Sequence, residues 1–154
     1  MAVTPHVTQH SIYLINTKAI SLTSDTFMAY LSATPISSWG ATQEAYQFVS
    51  DFLTPYPEVS TSGYARVTLA GTAVTPSTGA GLVTKWTCTS PISWGSSITL
   101  SAASMFVYDH TIGGTDATSP VISAVDFGAT ISSTSGNWTY TIDPTNGLAS
   151  WTVS

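Results

Sequence analysis

Residues 62–71 read Ser62-Gly63-Tyr64-Ala65-Arg66-Val67-Thr68-Leu69-Ala70-Gly71, a stretch opened and closed by glycine that holds one of only three cationic side chains in the chain. Ala65, Val67 and Leu69 alternate with Tyr64, Arg66 and Thr68, the period-2 pattern of a half-buried strand. One face is expected to be core. The other sets an aromatic ring beside a guanidinium, which predicts an interface role for Tyr64 and Arg66, through an ion pair to an acid on another subunit. On that reading Arg66→Ala weakens attachment more than it lowers the stability of the monomer. The competing reading is a solvated cation stacked over Tyr64 or a neighbouring Trp.

The composition around this stretch points the same way. Charged residues are 7% of the 154, against about 25% in typical soluble domains, and Ser and Thr supply the missing polarity. Hydroxyl side chains suit pleated surfaces and turns. A monomer with so few charges is weakly protected against association, so much of its surface is expected to be covered by partners. The net charge of −5 comes from eight acids against Lys18, Arg66 and Lys85. Without clustered Lys or Arg to displace counterions, nucleic acid and anionic membrane are not expected partners. No stretch approaches the roughly 20 apolar residues of a spanning helix. Met1 to His6 has neither a basic nor an apolar signal region, and the expectation is a protein made and kept soluble.

Along the chain, short apolar runs alternate with turn residues. Residues 2–10 read as an extended arm with Pro5, residues 11–15 as a first short strand, and residues 25–31 as a strand covered on both faces. The single helical signal is at residues 42–52, where Ala45, Phe48, Val49 and Phe52 fall on one face, with Thr42 as N-cap, Glu44 in the first turn and Pro55 and Pro57 ending it. Further strands are read at 72–75, 82–88, 98–100, 103–109, 121–127, 138–143 and 148–153. Turns are read at 76–81, 128–130, 135–137 and 144–147, and a loop at 110–120. The last two strands fit a hairpin closed by Asn146-Gly147, with Trp138, Tyr140 and Ile142 on one face and Ala149, Trp151 and Val153 on another. Neither carries a Lys to guard an edge. This spacing predicts an all-β, antiparallel β-sandwich of the jelly-roll or immunoglobulin-like kind, with one short helix near residues 43–52. Residues 1–19 form an N-terminal arm and first strand, and residues 20–154 the sandwich domain.

Catalytic and metal chemistry finds little support. Cys88 is the only cysteine, in phase with Leu82 and Trp86, and reads as a core side chain. His6 and His10 have i, i+4 spacing, but Pro5 and the sequence that follows argue against a helix there, so no metal site is expected. Asp109-His110 lacks a nucleophile elbow, and neighbours on a strand point to opposite faces. No catalytic residue, cofactor or metal is assigned, and the chain is expected not to be an enzyme. Trp86, Trp138 and Trp151 lie in alternating strands and read as core. Trp39-Gly40 and Trp94-Gly95 lie at loops, where Trp39 and Trp94 are candidates for partner or carbohydrate contact.

The order of several fragments resembles a family of small tailed-bacteriophage virion proteins. These are Ser24-Asp25-Thr26, Glu58-Val59, Gly63-Tyr64-Ala65-Arg66, Phe106-Val107-Tyr108-Asp109, Val125-Asp126-Phe127-Gly128 and Gly136-Asn137-Trp138-Thr139-Tyr140-Thr141-Ile142, spread over residues 20–153. Members are labelled head decoration, cement or tail-associated structural proteins. The resemblance implies a non-enzymatic β-sandwich on the outer surface of a phage head, bridging subunits of the major capsid protein. A homotrimer follows from the symmetry of capsid attachment sites. The alternative it implies is a tail fibre or baseplate protein that contacts the host surface, with Trp39, Trp94 or loop 110–120 binding carbohydrate. Residues 1–19 match it less clearly.

Overall fold

Three of the runs read separately in the sequence belong to two long strands. In the computed structural model, which describes residues 4–76, 83–144 and 147–152, β7 (Ile98–Asp109) and β8 (Val121–Gly136) pair antiparallel as the spine of the molecule. The breaks in alternation that separate the runs are register shifts. Leu100 and Ala102 face the larger apolar cluster, and so do Met105 and Val107, although their positions differ in parity. The register shift between Ala102 and Ser104, across which the pairing on β8 jumps from Ile131 to Asp126, makes this possible, since such a bulge resets which side faces inward. A second shift opposite Val107 and Tyr108 does the same in β8, leaving Ile122 and Val125 on one side and Val121 and Ala124 on the other. Residues 128–130, expected as a turn, continue β8. Gly128 adopts φ +70° there, and its N–H is held by Asp126 Oδ1 at 3.0 Å.

The spine sits in a five-stranded antiparallel sheet of order β1-β8-β7-β2-β3, where β1 is Thr4–Val7, β2 is Phe27–Ser32 and β3 is Val67–Thr68. The strand expected at 25–31 runs from Phe27 to Ser32 and is covered on both faces there, while Thr26 before it is exposed. Phe27, Ala29 and Leu31 enter the larger apolar cluster, and Tyr30 enters the second with Phe106, Tyr108, Val121 and Ala124. A three-stranded sheet, β10-β5-β4, comprises β4 (Ala73–Pro76), β5 (Val83–Thr87) and β10 (Ala149–Thr152), and a two-stranded one pairs β6 (Ile92–Ser93) with β9 (Thr139–Tyr140). Trp86, Ile92 and Tyr140 from these small sheets share the larger cluster with Phe27 and Val125, so three sheets close on one core. The architecture is mostly β with antiparallel pairing, as read from the sequence.

Several expected elements differ. Residues 11–15 are not a strand but part of α1 (Gln9–Asn16). Thr8, fully buried, decides this: its Oγ1 accepts the Ser11 N–H at 3.0 Å as an N-cap and donates to the Val121 carbonyl at 3.1 Å. The preceding residues pair with β8 as β1, so residues 4–16 are built into the main sheet rather than standing off as an arm. The single helix expected over 42–52 is two short ones, α2 (Ala41–Ala45) and α3 (Val49–Leu53). Between them the Gln47 carbonyl accepts from Val121 N–H and the Val49 N–H donates to Ser119, so pairing with the start of β8 outcompetes helix continuation. Gly40, not Thr42, is the N-cap residue, with its N–H bonded to Gln43 Oε1 at 3.2 Å. Ala45 is exposed and Phe48 half-buried, leaving Val49 and Phe52 as the core face.

The stretch at 62–71 contracts to the two-residue β3, because Gly63 turns at φ +83° and the following residues are drawn to Glu58. Ala65 is exposed, while Leu69 remains core and donates to Phe27 at 2.8 Å. The terminal hairpin does not form: β9 pairs with β6 and β10 with β5. Trp138, Tyr140 and Ile142 do share a buried face, but their cover is Phe127 and Trp94. The turn expected at 76–81 lies largely outside the described residues, as do Asn146, Val153 and the side chain of Trp151.

Candidate functional site

Arg66 is the centre of the densest polar cluster. The chain emerging from Gly63 sets Tyr64 and Arg66 beside Glu58, which lies opposite Ser32 at the end of β2. Its guanidinium forms a fork on Glu58, with Nε at 2.9 Å and Nη2 at 2.7 Å from Oε2. On its far side Nη1 and Nη2 reach the two oxygens of Asp116, in the loop before β8, at 2.5 and 3.0 Å. Nη1 also donates to Tyr108 Oη at 3.3 Å, and the guanidinium carbon stands 5.5 Å from the Tyr30 ring centre and 5.4 Å from that of Tyr108. Tyr64 Oη donates to Glu58 at 3.0 Å and accepts the Leu31 N–H at 2.9 Å. Burial works against the guanidinium's charge, and hydrogen bonds with Asp116, Glu58 and Tyr108 more than reverse it, so its pKa is raised. Burial likewise pushes the hydroxyls of Tyr64, Tyr30 and Tyr108 up.

These contacts relocate the residues singled out in the sequence. Arg66 stacks on aromatic rings, though on Tyr30 and Tyr108 rather than Tyr64 or a Trp, and its ion pairs lie within the chain. With 21% of its side chain exposed, it is a clasp between the 58–66 segment, β7 and loop 110–120, not a group waiting for an acid on another subunit. Tyr64 is bound into the same clasp. Trp94, expected at a loop surface, is 3% exposed and packs edge-on to Trp138 at 5.2 Å, which removes it as an anchor for a partner or sugar. Trp39 keeps an accessible edge: it is half-buried, with its ring stacked on His6 at 4.8 Å and on Phe52 at 5.9 Å. Sequence reasoning missed Asp116 and Glu58 as Arg66's partners.

Two further features bear on what the molecule does. Asp109 is fully buried at the end of β7; its Oδ1 accepts the N–H groups of Thr111 and Ile112, while Oδ2 has no donor. The Asp25 carboxyl lies within hydrogen-bonding reach, and burial together with that neighbour pushes Asp109 up to about 6. His110, next in sequence, is exposed, so the two do not form a dyad. α1, residues 20–23 and β4 enclose a groove of about 510 Å³ lined by Ile12, Ile15, Ile20, Leu22 and Val74. Beside it Ile12, Tyr13 and Val74 are exposed.

His6 lies on β1 and His10 in α1, so they share no helical face, and among the described residues no group of three or more His, Cys, Asp or Glu is placed to hold a metal. Cys88 is buried, and burial pushes its thiol up to about 11, the state of a core side chain rather than a nucleophile. No helix among the described residues is long and apolar enough to cross a membrane. Comparison with protein-family models, with curated proteins and with solved structures found no match.

Proposed function

We propose that the chain is a non-enzymatic structural protein of a tailed-phage virion, a decoration or cement subunit on the outer head that bridges neighbouring subunits of the major capsid protein. The observation that carries this reading is where the few charges go. Arg66, Glu58 and Asp116 are engaged with one another, and Asp109 is sealed beside Asp25. Asp51 caps α3, Asp126 holds the Gly128 N–H, Lys85 donates to the Pro144 carbonyl, and Glu44 accepts from Gln9. A surface whose charges are few and mostly engaged, with hydroxyls and apolar side chains between them, suits a life spent under neighbours.

The mechanism needs no chemistry. Surface buried against two capsid subunits at once raises the cost of separating them, by mass action. The finer architecture belongs to the same proposal: a jelly-roll or immunoglobulin-like β-sandwich, supported by the shared core of the three sheets. A homotrimer assembled on the particle matches the symmetry of capsid attachment sites.

Copy number in purified virions, from quantitative mass spectrometry against the major capsid protein, tests the reading. A ratio of about one to one is expected for a subunit that coats the shell. A ratio of a few hundredths places the protein on the tail or at a vertex and overturns the cement mechanism.

A further inference from the structure

Among the described residues, the distal half of β8 is a strand edge with no strand beside it. β7 pairs along one side of β8 from Val121 to Gly136, whereas on the other side β1 covers only Ser123 to Asp126. Among the described residues no strand pairs with the outer edge of residues 128–136. Each of these residues is exposed or half-exposed, with Ile131 at 41%. Trp138 Nε1 reaches the Ile131 carbonyl at 3.4 Å and Asp126 holds the Gly128 N–H, while the side-chain hydrogen bonds of Ser132 and Ser133 and that of the Ser135 N–H run to β7.

Natural sheets protect such edges with charge, proline or brevity. The other edges here show these devices: β1 carries Pro5, β4 carries Pro76, β3 has two residues and β10 four. The β7–β8 ribbon has none of them in this region, with no charged side chain at 127–142 and none at 86–108. Its irregularities are the bulge at Gly128, where the cover from β1 stops, and the register shift between Ser133 and Gly136, where Ser135 adopts φ +48°.

We infer that residues 129–136 of β8 pair antiparallel, edge to edge, with the same segment of a second copy of this chain. Three features select a second copy as the occupant. The chain carries a net charge of −5, so two copies repel through most approaches, but the ribbon is neutral and offers a face where self-approach is unopposed. An antiparallel strand pair is self-complementary about a two-fold axis, as an isologous contact requires. The hydroxyl pairing this sequence makes across strands, seen in Ser101 Oγ and Ser132 Oγ at 2.6 Å, is repeated by a neighbour of the same composition. The contact joins copies in pairs, and it does not depend on the virion reading.

Sedimentation equilibrium of the full chain tests this. The wild type is expected to sediment as a dimer at about 100 µM. Thr130→Glu combined with Thr134→Glu, both exposed sites, halves the mass while leaving the urea unfolding midpoint in place. An equal mixture of that variant with Thr130→Lys/Thr134→Lys restores the dimer, which a merely misfolded edge does not do. Ile12→Glu/Tyr13→Glu on α1 leaves the dimer intact. A monomeric or trimeric wild type, a Glu variant that still dimerises, a mixture that stays monomeric, or dissociation by the α1 variant overturns the inference. Virion copy number is a separate measurement, so either reading fails without the other.

Discussion

Arg66 turns from a surface candidate into an internal one once its partners are placed. Removing one member of a partly buried charged set strands the others without compensation. Arg66→Ala is therefore expected to lower unfolding free energy by about 2–4 kcal/mol in urea titration, with Arg66→Lys recovering only part because an ammonium cannot form the fork. That reverses the sequence-based expectation of weaker attachment with little loss of stability. Asp109 gives a second prediction, with a defined sign. Its folded pKa of about 6 lies above the ordinary carboxyl value of 3.8, so the folded state holds the proton more tightly. Its contribution is fully present below about pH 4 and is lost as pH rises through 6, by up to about 2–3 kcal/mol. Asp109→Asn keeps an oxygen for Thr111 and Ile112 without the charge. Thermal melts at pH 4, 5, 6 and 7 are expected to show the variant gaining on the wild type as pH rises; parallel profiles would contradict the assignment.

At the scale of elements, α1 depends on Thr8, which both caps the helix and fastens it to the first residue of β8. Thr8→Ala is expected to cost about 1–2 kcal/mol in calorimetric melting, with Thr8→Ser close to wild type. The same residue shows what was legible in the sequence. Ile12-Tyr13-Leu14-Ile15 is an apolar run short enough to read as strand, and the helix signal lay one residue before it, in a cap whose worth depends on the distant Val121 carbonyl. The strand covered on both faces, the core role of Trp86 and Cys88, and the common face of Trp138, Tyr140 and Ile142 were legible because each rests on a local period. β7 and β8 appeared as fragments because bulges reset that period. The Arg66 site was half legible: a scarce cation beside Tyr64 marked the position, but Asp116 lies 50 residues away, and no local pattern reports such a pairing. Trp94 was misplaced for a related reason, since the following Gly95 signals a turn but not the burial of the ring before it.

For the whole molecule, the arrangement of charge matters more than its amount. A clasp at Arg66 ties together segments from three parts of the chain, and the Asp25–Asp109 pair closes the neighbouring end of the sheet. What faces outward is a hydroxyl-rich ribbon, an apolar groove by α1 and a half-buried Trp39. Screening by simple salt acts on exposed charges and has little purchase on such a surface. Sulfate and other strongly hydrated ions act differently, through their exclusion from the protein–water boundary. Contacts made through the neutral ribbon would accordingly be almost indifferent to sodium chloride and tightened by sulfate, so that solvent quality rather than ionic strength sets how firmly two copies hold there.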